Sequence, residues 1–131
     1  MPTYSDDILR LAETTPAEIA PGEPFSEAAN RLCGDKVRIS LGTGNSVITQ
    51  VHWHVEGCAI LRASAAYLAR SLVRKSIPEA IDMIHKFSES FEKENSFRHG
   101  PLAAVYNLPP RYKCALLPWQ AAEDFLRELK R

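Results

Sequence analysis

Two stretches in the middle of the chain, Lys36–Leu41 and Val47–Val55, alternate apolar and polar residues, and the turn-forming cluster Gly42–Asn45 lies between them. That pattern predicts a β-hairpin with one buried and one wetter face. Beyond the hairpin the apolar spacing lengthens to the helical period. Ala59 to about Arg74 reads as one helix, and Ser76-Ile77-Pro78-Glu79 is a capping box that opens a second helix running to about Lys93. Asn95–Gly100 is polar and is expected to be mobile, Leu102–Tyr106 fits one helical turn, and Pro109-Pro110 is expected to hold extended backbone. Ala122, Phe125, Leu126 and Leu129 share one face of a closing amphipathic helix over Trp119–Leu129. Pro118 has no amide hydrogen, so that helix is expected to begin after Cys114 or to be irregular there. At the other end Ser5 can cap a short helix through about Glu13, and Thr14–Pro24 reads as an irregular connector. This order predicts an α+β fold over residues 1–131, a small antiparallel sheet packed against helices in a single domain.

Three cysteines carry most of the chemistry, and each has a local reason to hold a thiolate. Cys33 and Asp35 flank Gly34, so a tight turn can aim a thiolate and a carboxylate at one point. Cys58 follows Gly57 and opens a helical run, where unpaired N–H groups favour an anion. Cys114 follows Arg111 and Lys113. Three thiolates and one carboxylate complete a tetrahedral set for zinc and can also cradle iron and sulfide. Lys36, Arg62, Arg111 and Lys113 are candidates to offset the excess negative charge. Because no Cys-x-x-Cys pair is present, the same cysteines also fit three separate buried thiols.

Composition removes several classes. Sixteen basic residues balance sixteen acidic ones, without the concentrated positive footprint of a nucleic-acid binder. No run approaches the ~18 apolar residues of a membrane helix. The start, MPTYSDDILR, is acidic where a secretory signal is basic and then apolar, so a cytoplasmic protein is expected. Three cysteines cannot all pair internally, which agrees with a reducing compartment. His52 and His54 stand two apart in a strand and share a face, a spacing that can bind zinc. With Val51, Trp53 and Val55 on the other face, a solvated strand surface is the simpler reading. His85 and His99 read as surface residues. Cys58 beside either strand histidine would suit a Cys–His hydrolase, but the chain has no nucleophile-elbow signature.

The motifs Cys33-Gly34-Asp35, then Gly57-Cys58-Ala59-Ile60 running into Ala63-Ser64-Ala65, then Lys113-Cys114-Ala115-Leu116-Leu117 with Trp119, occur in a fixed order. Together they resemble the IscU, SufU and NifU N-terminal family of iron–sulfur cluster assembly proteins. The resemblance is strongest over residues 25–129, while residues 1–24 diverge. Lys113 stands where the IscU branch has a histidine, so the chain looks closer to the SufU branch. The resemblance implies Cys33, Asp35, Cys58 and Cys114 as ligands of zinc or of an iron–sulfur cluster. It implies a cysteine desulfurase as partner, and downstream cluster acceptor proteins if the chain is a scaffold. It also implies Cys33 as the sulfur acceptor, with Cys114 as its rival. A zinc-dependent sulfurtransferase, a scaffold that builds and passes on a cluster, and a zinc-binding interaction module all fit these ligands.

Overall fold

Side-chain alternation builds the sheet. In β2 (Asp35–Gly44) Val37, Ile39 and Leu41 are buried, and in β3 (Val47–Glu56) so are Ile48, Val51 and Trp53. The two strands pair antiparallel from Lys36↔Glu56 to Gly44↔Val47, with a bulge at Gly42/Thr43. The computed structural model describes residues 6–92 and 101–129. The expected turn over Gly42–Asn45 is shorter and lies further on. β2 runs through Gly44, and the reversal is made by Asn45 and Ser46, both at positive φ (55° and 66°). Two positive-φ central residues match the right-handed twist of the flanking strands, and asparagine tolerates that conformation well.

A third strand, β1 (Ser26–Asn30), pairs antiparallel with β2 from Ser26↔Ile39 to Asn30↔Asp35 and is absent from the sequence-based expectation. Its residues, SEAAN, include no β-branched or aromatic side chain, so local propensity is silent. Its context supplies the reason: β2 would otherwise expose an edge, and the small Ala28 packs against the main core. The outer edge of β3 is covered elsewhere. Trp53 N–H donates to the Ala17 carbonyl at 2.9 Å, Ile48 N–H to Lys75 at 2.8 Å, and Arg74 N–H to Ile48 at 2.8 Å.

The helices lie over one face of this sheet. α1 (Asp6–Ala12) buries Ile8, α2 spans Ala59–Leu72, α3 spans Ile77–Glu92 and α4 spans Tyr112–Leu129. The capping box forms as expected: Glu79 N–H donates to Ser76 Oγ at 3.2 Å and Ser76 N–H to Glu79 Oε1 at 3.1 Å. α2 ends at Leu72, two residues before the expected Arg74, because Val73 is extended and Arg74 takes φ 74° to reach β3. The expected Ser5 cap, the polar stretch Asn95–Gly100 and His99 lie outside the described residues.

Two expectations about prolines are corrected. Pro109 and Pro110 lie in a 3₁₀ turn (Pro109–Arg111) rather than in extended backbone. Both occupy the start of the turn, where a missing N–H removes no bond and the fixed φ suits helix. The last helix begins at Tyr112, seven residues before Trp119, and Pro118 sits inside it. Pro118 deprives only the Cys114 carbonyl of its usual i→i−4 donor, and packing offsets that loss. Ser64 Oγ on α2 donates to the Ala115 carbonyl and accepts from Trp119 Nε1 at 3.0 Å, tying the two helices on both sides of the proline. Phe87 of α3 stacks on Trp119 at 4.0 Å between ring centroids.

Ser64 and Trp119 are both buried, so bulk water does not reach the indole N–H if the Ser64 hydroxyl is removed. Ser64→Ala leaves the Trp119 indole N–H without a partner and is expected to lower stability by about 1–3 kcal/mol. Urea denaturation of the metal-free protein measures it; an unchanged midpoint would show that the clamp contributes nothing.

Candidate metal centre

Cys33 and Asp35 come from the β1–β2 connection. The pair Asn30↔Asp35 closes the sheet and leaves Arg31, Leu32, Cys33 and Gly34 as the loop. Asn30 organises that loop: its carbonyl accepts Cys33 N–H at 3.2 Å, and its Oδ1 accepts Leu32 N–H at 3.2 Å. Gly34 takes φ 71°, a conformation costly for any residue with a Cβ, and this reversal returns the chain to β2. Cys33 is exposed, whereas Asp35, two residues on, is only 3% exposed.

Cys58 stands at the β3–α2 junction as the N-cap of α2, and its side chain makes no cap hydrogen bond. Its backbone N–H donates to Asp35 Oδ1 at 3.3 Å, and its Sγ lies 3.9 Å from Asp35 Oδ2. Gly57 makes room for this contact. A Cβ there would overlap Asp35 Oδ1 and stand 2.7 Å from Leu61 Cδ2.

Cys114 is the third residue of α4 and is fully buried, packed with Ile8, Ile60, Phe91, Leu102 and Val105. The expectation that it precedes the last helix is therefore corrected: it lies in the first turn. Burial raises its thiol far above the ordinary range, and the hydrogen bond to Asp35 and the neighbouring Cys58 act in the same direction. An uncharged thiol is the stable form of Cys114 until a cation compensates it.

The ligand atoms of Cys33, Asp35 and Cys114 all lie within 4.8 Å of one another, and Cys58 joins them through Asp35. Four residues from three separate segments thus meet at one place. Three sulfurs and a carboxylate oxygen are the donor types that zinc accepts in a tetrahedral site, and a divalent cation would relieve the crowding of acidic groups around Asp35. The N-terminal turns of α2 and α4 both face the cluster through Cys58 and Cys114, where their dipoles favour negative charge. Lys36 is engaged elsewhere, 3.1 Å from Glu56.

The two strand histidines are not part of this cluster. His52 Nδ1 lies 2.8 Å from Glu23, whose carboxyl is held down at about 2 chiefly by the Ser40 hydroxyl, the Ala20 N–H and then His52. His54 sits between Glu18 at 3.4 Å and Glu56 at 3.6 Å. Both fasten the connector to the outer face of the sheet. His85 pairs with Glu123 at 2.8 Å on the surface. The roles of Asn30 and Gly57 around the cluster were not read from the sequence, although an Asn three residues before a Cys-Gly is a recognisable side-chain turn signal.

The family profile described as the NifU-like N terminal domain matches residues 4–98, a span that includes Cys33, Asp35 and Cys58. A Bacillus subtilis (strain 168) protein named zinc-dependent sulfurtransferase SufU is 32% identical over 100 residues, covering 72% of this chain and 68% of that protein. A Thermotoga maritima protein named iron–sulfur cluster assembly scaffold protein IscU is 24% identical over 136 residues, covering 98% of this chain and 95% of that one. Among solved structures, a candidate iron–sulfur cluster assembly scaffold protein for the SUF system from Fervidobacterium islandicum superposes with a TM-score of 0.83 at 27% identity, covering 95% of this chain and 96% of that one. No helix among the described residues is long and apolar enough to cross a membrane.

Gly57→Ala is expected to push the Asp35 carboxylate out of register and to weaken zinc binding by about tenfold or more. Competition against a chromophoric chelator measures this, and an affinity within twofold of the parent would contradict the cradle. A second expectation concerns pH. Above the ordinary thiol value of about 8.5 the unfolded chain releases the Cys114 proton while the folded chain keeps it. The metal-free protein therefore loses stability as pH rises beyond that value. Denaturant midpoints should fall across this range and fall less steeply in Cys114→Ala; equal slopes would contradict the assignment.

Proposed function

The chain belongs to the NifU-like N-terminal domain family, and from that premise we propose that it accepts sulfur from a cysteine desulfurase at a zinc centre held by Cys33, Asp35, Cys58 and Cys114. The observation that carries the reading is the convergence of Cys33, Asp35 and Cys114 within 4.8 Å, with Cys58 against Asp35. Zinc, when bound, keeps the thiols deprotonated at neutral pH and balances the buried carboxylate.

Exposure divides the cysteines by task. Sulfur arrives from outside as a persulfide on a partner, so the attacking thiolate has to reach the surface. Cys33 is exposed on a turning loop, Cys58 is half-buried at a helix cap, and Cys114 is enclosed. In the transfer step the Cys33 thiolate attacks the terminal sulfur of the partner's cysteine persulfide. One S–S bond forms to Cys33 as the partner's S–S bond breaks, and the partner's cysteine leaves as a thiolate. No net oxidation occurs, because sulfane sulfur is exchanged as in thiol–disulfide exchange. Asp35 is the harder donor in the set and the more exchangeable one, which suits a centre whose ligands must open. Lys113, exposed beside Cys114, replaces the histidine of the scaffold branch and favours transfer.

A scaffold reading is favoured by a different observation, the near full-length similarity to the Thermotoga maritima protein. There the same four residues would hold an iron–sulfur cluster as cargo and pass it to acceptor proteins. A zinc-binding interaction module without sulfur chemistry predicts no transfer at all.

Brief incubation with a cysteine desulfurase and cysteine, followed by peptide mass spectrometry, separates these readings. The first added sulfur is expected on Cys33, and Cys33→Ser should lose acceptance. A first persulfide on Cys114, with Cys33→Ser accepting at the normal rate, would overturn the assignment in favour of the scaffold; no added sulfur would favour the interaction module.

A further inference from the structure

Resting on the sulfur-transfer reading, we propose that Asn30 is the positioning residue that selects Cys33 as the departing cysteine, by offering its sulfur a hydrogen-bond donor outside the ligand cluster. The Cys33 sulfur has two sets of neighbours. It is within 4.8 Å of the Asp35 and Cys114 ligand atoms, and Asn30 Nδ2, which is not one of the candidate ligands, donates to it at 3.5 Å.

The orientation of that amide is determined by its own network. Asn30 Oδ1 accepts the Leu32 N–H, so the atom facing the sulfur is the NH₂ group, a donor. Its backbone is also held, because Asn30 ends β1 in register with Asp35. The donor is thus mounted on the sheet while its acceptor rides on the loop. A donor fixed on a rigid element and a sulfur on a turning segment form a station to which a thiolate can move and be solvated.

The other two cysteines have the opposite surroundings. Cys58 is tethered at the N-cap of α2, with its Sγ turned towards the Asp35 carboxylate at 3.9 Å, so it cannot swing outwards as a loop residue can. Cys114 lies among aliphatic and aromatic side chains that cannot solvate an anion. Release of either is disfavoured, whereas release of Cys33 is assisted by Asn30. Hydrogen bonds to ligand sulfurs are a recognised means of tuning a metal–thiolate site.

Asn30→Asp and Asn30→Ala test this in the full chain. Asp keeps the Oδ acceptor for Leu32 N–H but cannot donate, and Ala removes both functions. Zinc content is measured first, and then the rate of Cys33 alkylation by iodoacetamide is followed by peptide mass spectrometry with and without zinc. The ratio of the zinc-loaded to the metal-free rate cancels changes in intrinsic reactivity caused by the substitutions. That ratio is expected to fall about tenfold in both variants, as Cys33 stays on the metal. A fall in Asn30→Ala alone would show a loop-holding role and overturn the proposal. So would an unchanged or raised ratio in both variants. A parent protein that takes up no zinc would overturn the zinc-centred reading as well, which keeps the two failures distinct.

Discussion

A carboxylate that is 3% exposed has to find partners or unfold its surroundings, and Asp35 finds them at a junction of three segments. The Cys58 N–H donates to it, Gly57 has no side chain to hold it off, and the ligand atoms of Cys33 and Cys114 close over it. Much of the local architecture follows. β1 has to stop at Asn30 so that the Arg31–Gly34 loop can bring Cys33 back over Asp35, and β3 has to be followed by a residue without a Cβ, Gly57. Among the described residues the partners of Asp35 are the Cys58 N–H at 3.3 Å and the thiols of Cys58 and Cys114, so the carboxylate is held by the same residues that could ligate a metal. A cation at this point would take these thiols and the carboxylate as its ligands.

The other half of the site depends on helix packing. α2 carries Cys58 at its cap and α4 carries Cys114 in its first turn, so their separation depends on how closely the helices approach. Small residues on α2, Ala63 to Ala66, permit that approach, and the Ser64 hydroxyl fixes it by bonding to Ala115 and Trp119. Trp119 is held in turn by its stack on Phe87. Pro118 thus lies inside a packed and cross-tied region that tolerates it. Beyond the helices, Tyr112 hydroxyl donates to the Tyr106 carbonyl and anchors the start of α4 to the preceding turn.

Much of this was legible in residue order, and the failures have physical causes. Alternation in Lys36–Leu41 and Val47–Val55 located the two longer strands, and the reciprocal Ser76–Glu79 caps placed the start of α3. β1 was invisible because SEAAN has no strand propensity; the strand exists through pairing with β2 and through Ala28 packing on the main core. Proline misled twice, at Pro109-Pro110 and at Pro118. Its local rule concerns a lost donor and a fixed φ, and neither matters at a turn start or in a helix secured by side chains. The three cysteine motifs and Asp35 were recognisable from sequence, and the structure brings them to one place. The second tier was not: Asn30 signals a side-chain turn but not that its amide faces the Cys33 sulfur, and the sequence does not say that the missing side chain of Gly57 makes space for Asp35. The strand histidines show the converse, since their zinc-like spacing is satisfied by Glu23, Glu18 and Glu56.

The central claim is that Cys33, Asp35, Cys58 and Cys114 together hold one metal ion. X-ray absorption at the zinc edge of the anaerobically purified protein tests it most directly. The account predicts three sulfur scatterers at about 2.3 Å and one oxygen at about 2.0 Å, with the sulfur number falling by one in Cys33→Ser. A first shell with nitrogen from histidine, or with fewer than three sulfurs in the parent protein, would contradict it.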